Sequence, residues 1–356
     1  MSELRTMLAD TVTRLFIDIS QSESSNWEPL EELGLPSLML DEASGGFNGQ
    51  WQDAVLVARK TGYYAIAQPL IETIIGRFAL HYAGHSDFQG PLSIAHCDSV
   101  NLTQQQHCHE LTAKLRHIPG EQGKPVVISG QYQQRNFIAL LQPDESIRQL
   151  HRTNIADEPR TDLLLQNTPL QALYWVDQSI NLYHLGALLR SAQIAGALDK
   201  LVKMSVQYST EREQFGRPIS KFQVIQHNIS QLAEQAAAVI CATEAAARAV
   251  DQEGCSDALF EIASAKLRAN IAIPLATSIA HQIHGAIGFT EEHRLHLFTR
   301  RLFAWRSEYG NDRFWANLLG QWCLDARSQG LWQAITARSD RQMKTANTHT
   351  SERHAS

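Results

Sequence analysis

The sequence predicts an α+β fold that is mostly α, with three regions in the order helical, sheet-like, helical. Three observations predict it. Apolar residues recur at helical spacing up to about position 90, and short β-like runs between turn residues fill positions 91–168. From Pro169 onward the chain is rich in Ala, Gln and Leu with helical periodicity. The expected domains are 1–90 (helical), 91–168 (a small, reduced β domain) and 169–336 (a helical bundle), with 337–356 a polar, aperiodic and disordered tail.

Each element has its local reason. Leu4, Leu8, Val12, Leu15 and Phe16 share a helical face, and Trp27 to Leu33 reads as a short helix stopped by Gly34. After a loop from Leu40 to Gly49, two amphipathic helices are predicted at Trp51 to Gly62 and Gln68 to Tyr82. Strands are predicted around Leu92–Ile94, Leu111–Leu115, Val126–Ile128, Phe137–Leu141 and Leu163–Leu165. Longer helices follow at about Leu170 to Thr210, Phe222 to Asp251 and Asp257 to His284, with Pro274 expected to kink the last.

Composition excludes several classes. A formal charge of -6 and scattered basic residues argue against a nucleic-acid groove. Five widely spaced cysteines without a CxxC imply no disulfide frame and a reducing compartment. No stretch reaches the roughly 18 apolar residues of a membrane span, and the N-terminus has no apolar leader, so a cytoplasmic location is expected. His96-Cys97 and His107-Cys108-His109 lack zinc-ligand spacing and read as surface histidines with a half-buried thiol, so no metal is expected.

One stretch is unlike helix filler: Tyr208-Ser-Thr-Glu-Arg212-Glu-Gln-Phe215-Gly216-Arg-Pro218-Ile-Ser-Lys-Phe-Gln223. Gly216 and Pro218 end one helix and open the next, and Arg212 and Phe215 can offer a guanidinium and a ring to an anionic, flat ligand. A second segment, Gln282-Ile283-His284-Gly285-Ala-Ile-Gly288-Phe-Thr-Glu-Glu-His293, lies downstream. Together, in this order, they resemble the YxxxREQFGRPIxxFQ and QxxGGxG motifs of the acyl-CoA dehydrogenase family, and the resemblance covers nearly the whole chain. Glu42-Ala-Ser-Gly45-Gly46 is similar to its N-terminal ExxGG element.

The resemblance implies FAD as cofactor. Arg212, Phe215, Gln223, Gln282, Ile283, His284 and Gly285 are then the cofactor-binding candidates, reaching the dinucleotide end of a neighbouring subunit's FAD. Ala286 stands where the family has a second glycine. The implied reaction is α,β-dehydrogenation of an acyl-CoA thioester, in which a glutamate removes the α-proton and hydride passes to flavin. Electron-transfer flavoprotein is the implied acceptor.

The expected glutamate is missing. Counting from Gln282, the usual base position falls on Tyr309, with Glu308 one residue early and the single candidate base; the alternative position, counted back from Arg212, falls near Gly186. Residues 91–165 also lack the family's TExxxGSD-like flavin cradle. These departures resemble the smaller, degenerate subunit of heteromeric, steroid-type acyl-CoA dehydrogenases. The leading expectation is a subunit that completes the FAD site of a larger partner chain, which supplies the base. A self-sufficient homo-oligomer using Glu308, or a non-catalytic acyl-CoA-binding relative, stands as the alternative.

Overall fold

The computed structural model describes residues 3–21, 26–105, 108–120, 123–326 and 330–338. The N-terminal region holds helices α1 (Glu3–Gln21), α2 (Glu28–Glu32), α3 (Trp51–Tyr64) and α4 (Leu70–Tyr82). A capping box between Gln50 and Asp53 starts α3, and Ala65 ends it in the left-handed conformation at φ 57°.

Eight strands follow: β1 (Ser93–Cys97), β2 (Asn101–Gln105), β3 (Cys108–Pro119), β4 (Val126–Tyr132), β5 (Arg135–Leu141), β6 (Arg148–Thr153), β7 (Pro159–Pro169) and β8 (Ala172–Val176). They form two four-stranded sheets, ordered β1-β4-β5-β8 and β2-β3-β7-β6. Among the described residues only β1 and β4 pair in parallel. The sheets share a core that includes Leu111, Leu115, Ile128, Phe137 and Leu165. The opposite face of the first sheet, through Ile94, Val127, Ile138 and Leu140, packs into the helical core. It is therefore apolar on both faces, which explains its continuous apolar runs.

The bundle begins with α5 (Leu182–Glu211). A tight hairpin of β9 (Glu213–Gln214) and β10 (Arg217–Pro218) links it to α6 (Gln223–Glu253), α7 (Leu259–His284), α8 (Leu295–Ser307) and α9 (Asp312–Ala326). Residues 331–338 are helical as well. Glycines let α3 and α5 cross closely: a Cβ at Gly62 would lie 1.9 Å from the Gln193 carbonyl oxygen, and one at Gly196 would lie 1.8 Å from that of Arg59.

Two expectations change. The helix predicted from Leu170 starts at Leu182, because Ala172–Val176 pairs antiparallel with β5. A short apolar run gives no period by which to tell strand from helix. Helix α7 runs through Pro274 as one element. Arg338, assigned to the tail, belongs to a helix and pairs with Glu261 at 2.6 Å, whereas 339–356 lie outside the described residues. Among the described residues no helix is long and apolar enough to cross a membrane.

Candidate active site and cofactor groove

The Arg212 segment forms a corner. Arg212 leaves α5 in an extended conformation, its N–H still donating to the Tyr208 carbonyl at 2.9 Å. Its own carbonyl accepts from Ile219 N–H at 2.9 Å, which closes the loop. Phe215 and Gly216 turn the hairpin at φ 53° and 75°, the paired positive values of a type I′ turn. Phe215 is 92% exposed and meets Phe222 edge-on, while the Arg217 guanidinium lies 4.3 Å from the Phe222 ring centroid.

The second segment abuts this corner. The His284 ring stacks on Tyr208 with centroids 4.7 Å apart, and its Nδ1 donates to the Ala280 carbonyl at 2.8 Å. Two residues along a helix turn a side chain by about 200°, so Gln282 points away from that stack. It lines an open groove of about 510 Å³ with Pro274, His281, Gly285, Phe289 and Phe303. Gly285 ends α7 at φ 64°, with nothing within 4 Å of a built Cβ. The fold thus joins the two segments through Tyr208 and His284, but it does not bring the Arg212 and Gln282 side chains together within one chain.

Gln223, the first residue of α6, is exposed. Arg212, Gln223 and Gln282 have no side-chain partner among the described residues, so their donors remain free for a ligand. The Ile283 and His284 side chains lie on the inward half of the helical period, buried in the bundle. The residues fit the anionic, adenine-bearing end of a dinucleotide: a guanidinium, two amides, an exposed ring and an unobstructed glycine.

A cavity of about 730 Å³ opens between the sheets and the bundle, lined by His96, Arg116, His117, Arg160, Tyr183, Glu308 and Tyr309 among others. Asn181 caps α5, its Oδ1 accepting from Tyr183 N at 3.0 Å and His184 N at 3.2 Å. That leaves its NH₂ to face His96 Nε2 at 3.3 Å. Nε2 also lies 3.4 Å from Asp98 Oδ1, and Nδ1 lies 2.7 Å from Ser129 Oγ. Burial lowers the His96 pKa, and the Asp98 carboxylate opposes that shift.

Glu308 is neither a surface carboxylate nor a free base. Its side chain is 10% exposed, and Oε1 accepts from Arg160 Nε at 2.9 Å, Arg160 Nη2 at 2.5 Å and Asn154 Nδ2 at 3.2 Å. Arg190 Nη2 lies 3.0 Å from Oε2. Two guanidiniums thus hold its carboxylate in place. Arg190 also binds Glu72 at 2.8 Å, and Tyr309 donates its hydroxyl to Glu72 at 3.3 Å. Burial would pull the Arg190 pKa down, but Glu308 and Glu72 raise it. Burial raises that of Tyr309, and Glu72 raises it further. Glu158 binds Arg160 and Arg301 at 3.0 Å each and accepts from Trp305 Nε1 at 3.1 Å. Beneath the 308–309 turn, Lys266 Nζ donates to Asn270 Oδ1 at 2.6 Å and to the carbonyls of Trp305, Arg306 and Gly310 at 3.2–3.3 Å.

Sequence reading missed this network. Its signal was a lone charge among apolar neighbours: Glu72 beside Ile71, Ile74 and Ile75, and Arg190 beside Leu188 and Leu189. Arg300 and Arg301 pair with Asp157 and Glu158.

A helical region, a two-sheet β region and a helical bundle with an arginine corner and a glycine-ended groove make up an acyl-CoA dehydrogenase-like fold. Residues 178–323 match the family model for the acyl-CoA dehydrogenase C-terminal domain. It is 26% identical to acyl-CoA dehydrogenase IpdE2 of Mycobacterium tuberculosis over 78% of this chain and 80% of that protein. It is 27% identical to IpdE2 of Mycolicibacterium smegmatis over 85% of this chain and 93% of that one. Among solved structures, the Tcur3481-Tcur3483 steroid ACAD G363A variant shares the fold with a TM-score of 0.81 at 18% identity, covering 92% of this chain and 99% of that chain. The ChsE4-ChsE5 complex from Mycobacterium tuberculosis gives 0.76 at 17% identity, covering 90% and 97%.

Proposed function

We propose that this chain is the base-deficient subunit of a hetero-oligomeric, FAD-dependent acyl-CoA dehydrogenase, completing the flavin site of a larger partner that supplies the catalytic glutamate. The observation that carries the reading is the 186–309 contact. Both positions where the family places its base lie side by side, occupied by Gly186 and Tyr309, and the nearby Glu308 is held by Arg160 and Arg190. The donors of Arg212, Gln223 and Gln282 meanwhile remain exposed and unspent.

When bound, FAD supplies the hydride acceptor for α,β-dehydrogenation. On this chain Arg212 would pair with the pyrophosphate, Phe215 would pack at the adenine end, and Gln223 and Gln282 would donate amide hydrogens, with Gly285 allowing close approach. Relatives named acyl-CoA dehydrogenase IpdE2 and fold neighbours titled as a steroid ACAD and a two-component complex support an acyl group of steroid or similar bulky type, handled in a β-oxidation-like catabolic step. Electron-transfer flavoprotein is the acceptor assigned here. An odd number of cysteines, with Cys97, Cys241, Cys255 and Cys323 free among the described residues, suits a cytoplasmic location.

The test is to purify the chain alone and together with a glutamate-bearing family member from the same genome. The expected result is little flavin and no turnover alone, and both in the complex, with Arg212→Ala lowering the flavin content of the complex. Full flavin and full turnover in the lone chain would overturn the reading in favour of self-sufficiency. A colourless, inactive complex would favour a non-catalytic acyl-CoA-binding relative.

A further inference from the structure

Histidines gather where the end of α7 meets the Arg212 corner, and their hydrogen bonds fix the form of each ring. His284 Nδ1 donates to the Ala280 carbonyl at 2.8 Å, so the bare nitrogen of the neutral ring is Nε2, buried without a hydrogen-bond partner among the described residues. His293 Nδ1 accepts from Leu295 N–H at 3.2 Å, the first N–H of α8. The neutral His293 proton is therefore on Nε2. His296 Nδ1 donates to the His293 carbonyl at 2.9 Å. The His284 and His293 ring centroids lie 4.8 Å apart, and both flank Tyr208 of α5, at 4.7 and 6.3 Å. His281, about one turn back on α7, stacks on Phe289 at 4.3 Å, and both line the groove.

The surroundings of both rings favour the neutral form. A proton on His284 Nε2 would be a buried donor without an acceptor. A proton on His293 Nδ1 would abolish the bond from Leu295 N–H and set a cation at the N-terminus of α8, where the helix dipole is already positive. Ionisable groups face the pair as Tyr208 from α5, His281 from α7 itself and His296 from α8. Arg294 of α8 acts instead on Lys200 of α5, and Glu291 and Glu292 of the intervening loop are exposed. Among the described residues, neither these carboxylates nor a charged group of α6 acts on the two rings, so no negative charge offsets a new positive one. Burial lowers the pKa of each ring; for His284 the Ala280 bond opposes this in part, while His293 and His281 add to it. A folded pKa below the usual 6.5 gives a contribution to stability that is whole above that value and is lost as pH falls below it.

We infer that His284 and His293 form a pH-sensitive latch, which at neutral pH clamps the Gly285–Phe289 turn and the start of α8 onto the Arg212 corner and under mild acid lets that segment open. Gln282 and Gly285 line the groove at the edge of the segment, so its opening loosens the hold on the adenine end of a partner's dinucleotide. That consequence rests on the partner-site reading above; the opening itself does not.

Hydrogen exchange on the full chain alone, at about pH 7.5 and about pH 5.5 and corrected for intrinsic rates, measures the opening. Opened rings regain the ordinary histidine pKa of 6.5, so at about pH 5.5 the protection of residues 285–297 should fall by up to about tenfold for each ring, while α3, which carries no histidine, keeps its own. His284→Phe keeps a ring on Tyr208 that does not titrate, and by itself should remove about half of the loss on a logarithmic scale. Combined with His293→Asn, whose amide oxygen can accept from Leu295 N–H, it should abolish the loss. His227→Asn, at an exposed α6 position, should behave as the parent. Equal protection at both pH values, a loss undiminished in the His284 variants, or an equal loss in α3 would overturn the latch. In the partnered complex, acid should speed flavin release in the parent more than in His284→Phe. A complex without flavin at either pH would count against the partner-site reading, while exchange on the lone chain still decides the latch.

Discussion

The ring of Tyr309 fills the space that a side chain at position 186 would need: a Cβ on Gly186 would lie 2.5 Å from Tyr309 Cε1. Tyr309 holds this place at φ 51°, with its hydroxyl on Glu72. The two positions where a base would be sought therefore exclude each other sterically. Gly186→Ala should destabilise the chain by about 1–3 kcal/mol through overpacking, read as a shift in urea midpoint with unchanged slope. A variant as stable as the parent would mean that the ring moves freely.

Glu308→Gln separates a base from a structural carboxylate. Removing one partner of a buried ion pair costs about 3–5 kcal/mol, and here Arg160 and Arg190 would both lose it. A melting temperature lowered by many degrees is expected, while turnover per folded complex stays near that of the parent. A stable but inactive complex would return Glu308 to the role of base.

Acid sensitivity should trace to Glu158. Burial opposes its charge, yet Arg160, Arg190 and Arg301 outweigh that and lower its pKa from 4.5 to about 2. A depressed folded pKa contributes stability that is fully present above the unfolded value and is lost as pH falls from about 4.5 toward about 2. That span corresponds to on the order of 3 kcal/mol. Unfolding midpoints across this range should fall steeply in the parent and more shallowly in Glu158→Gln, which is weaker at neutral pH.

Lys266 ties the end of α8 to the turn bearing Glu308 and Tyr309. Burial lowers its pKa to about 7, yet four acceptors surround Nζ. Lys266→Met removes this donor from Asn270 Oδ1 and from the Trp305 and Arg306 carbonyls, while the Gly310 carbonyl keeps Asn270 Nδ2 at 3.2 Å, at about 1–3 kcal/mol for each acceptor left unpaired that water cannot reach. Destabilisation is expected, with faster proteolysis near residues 305–311. Wild-type stability would mean that water replaces the ammonium.

Phe215→Ala should leave stability nearly unchanged, because the ring is 92% exposed and surface substitutions usually fall within about 0.5 kcal/mol. In the partnered complex it should reduce flavin retention, measured by absorbance after gel filtration. A large fall in the melting temperature of the lone chain would instead make Phe215 a folding residue.

The sequence alone determined the order of helix, sheet and bundle, the arginine corner, the glycine end of α7 and the absence of a carboxylate at positions 186 and 309. These are local properties, carried by periodicity, turn chemistry and motif spacing within a few tens of residues. It left β8 hidden, since Ala172–Val176 becomes a strand only by pairing with β5. Tertiary structure alone decided that Glu72, Arg160, Arg190 and Glu308, from four distant segments, form one buried network. It likewise decided that Ile283 and His284 turn inward while Gln282 faces the groove. A charge's role depends on which opposite charges folding brings within hydrogen-bond reach and away from water, and no local pattern encodes that.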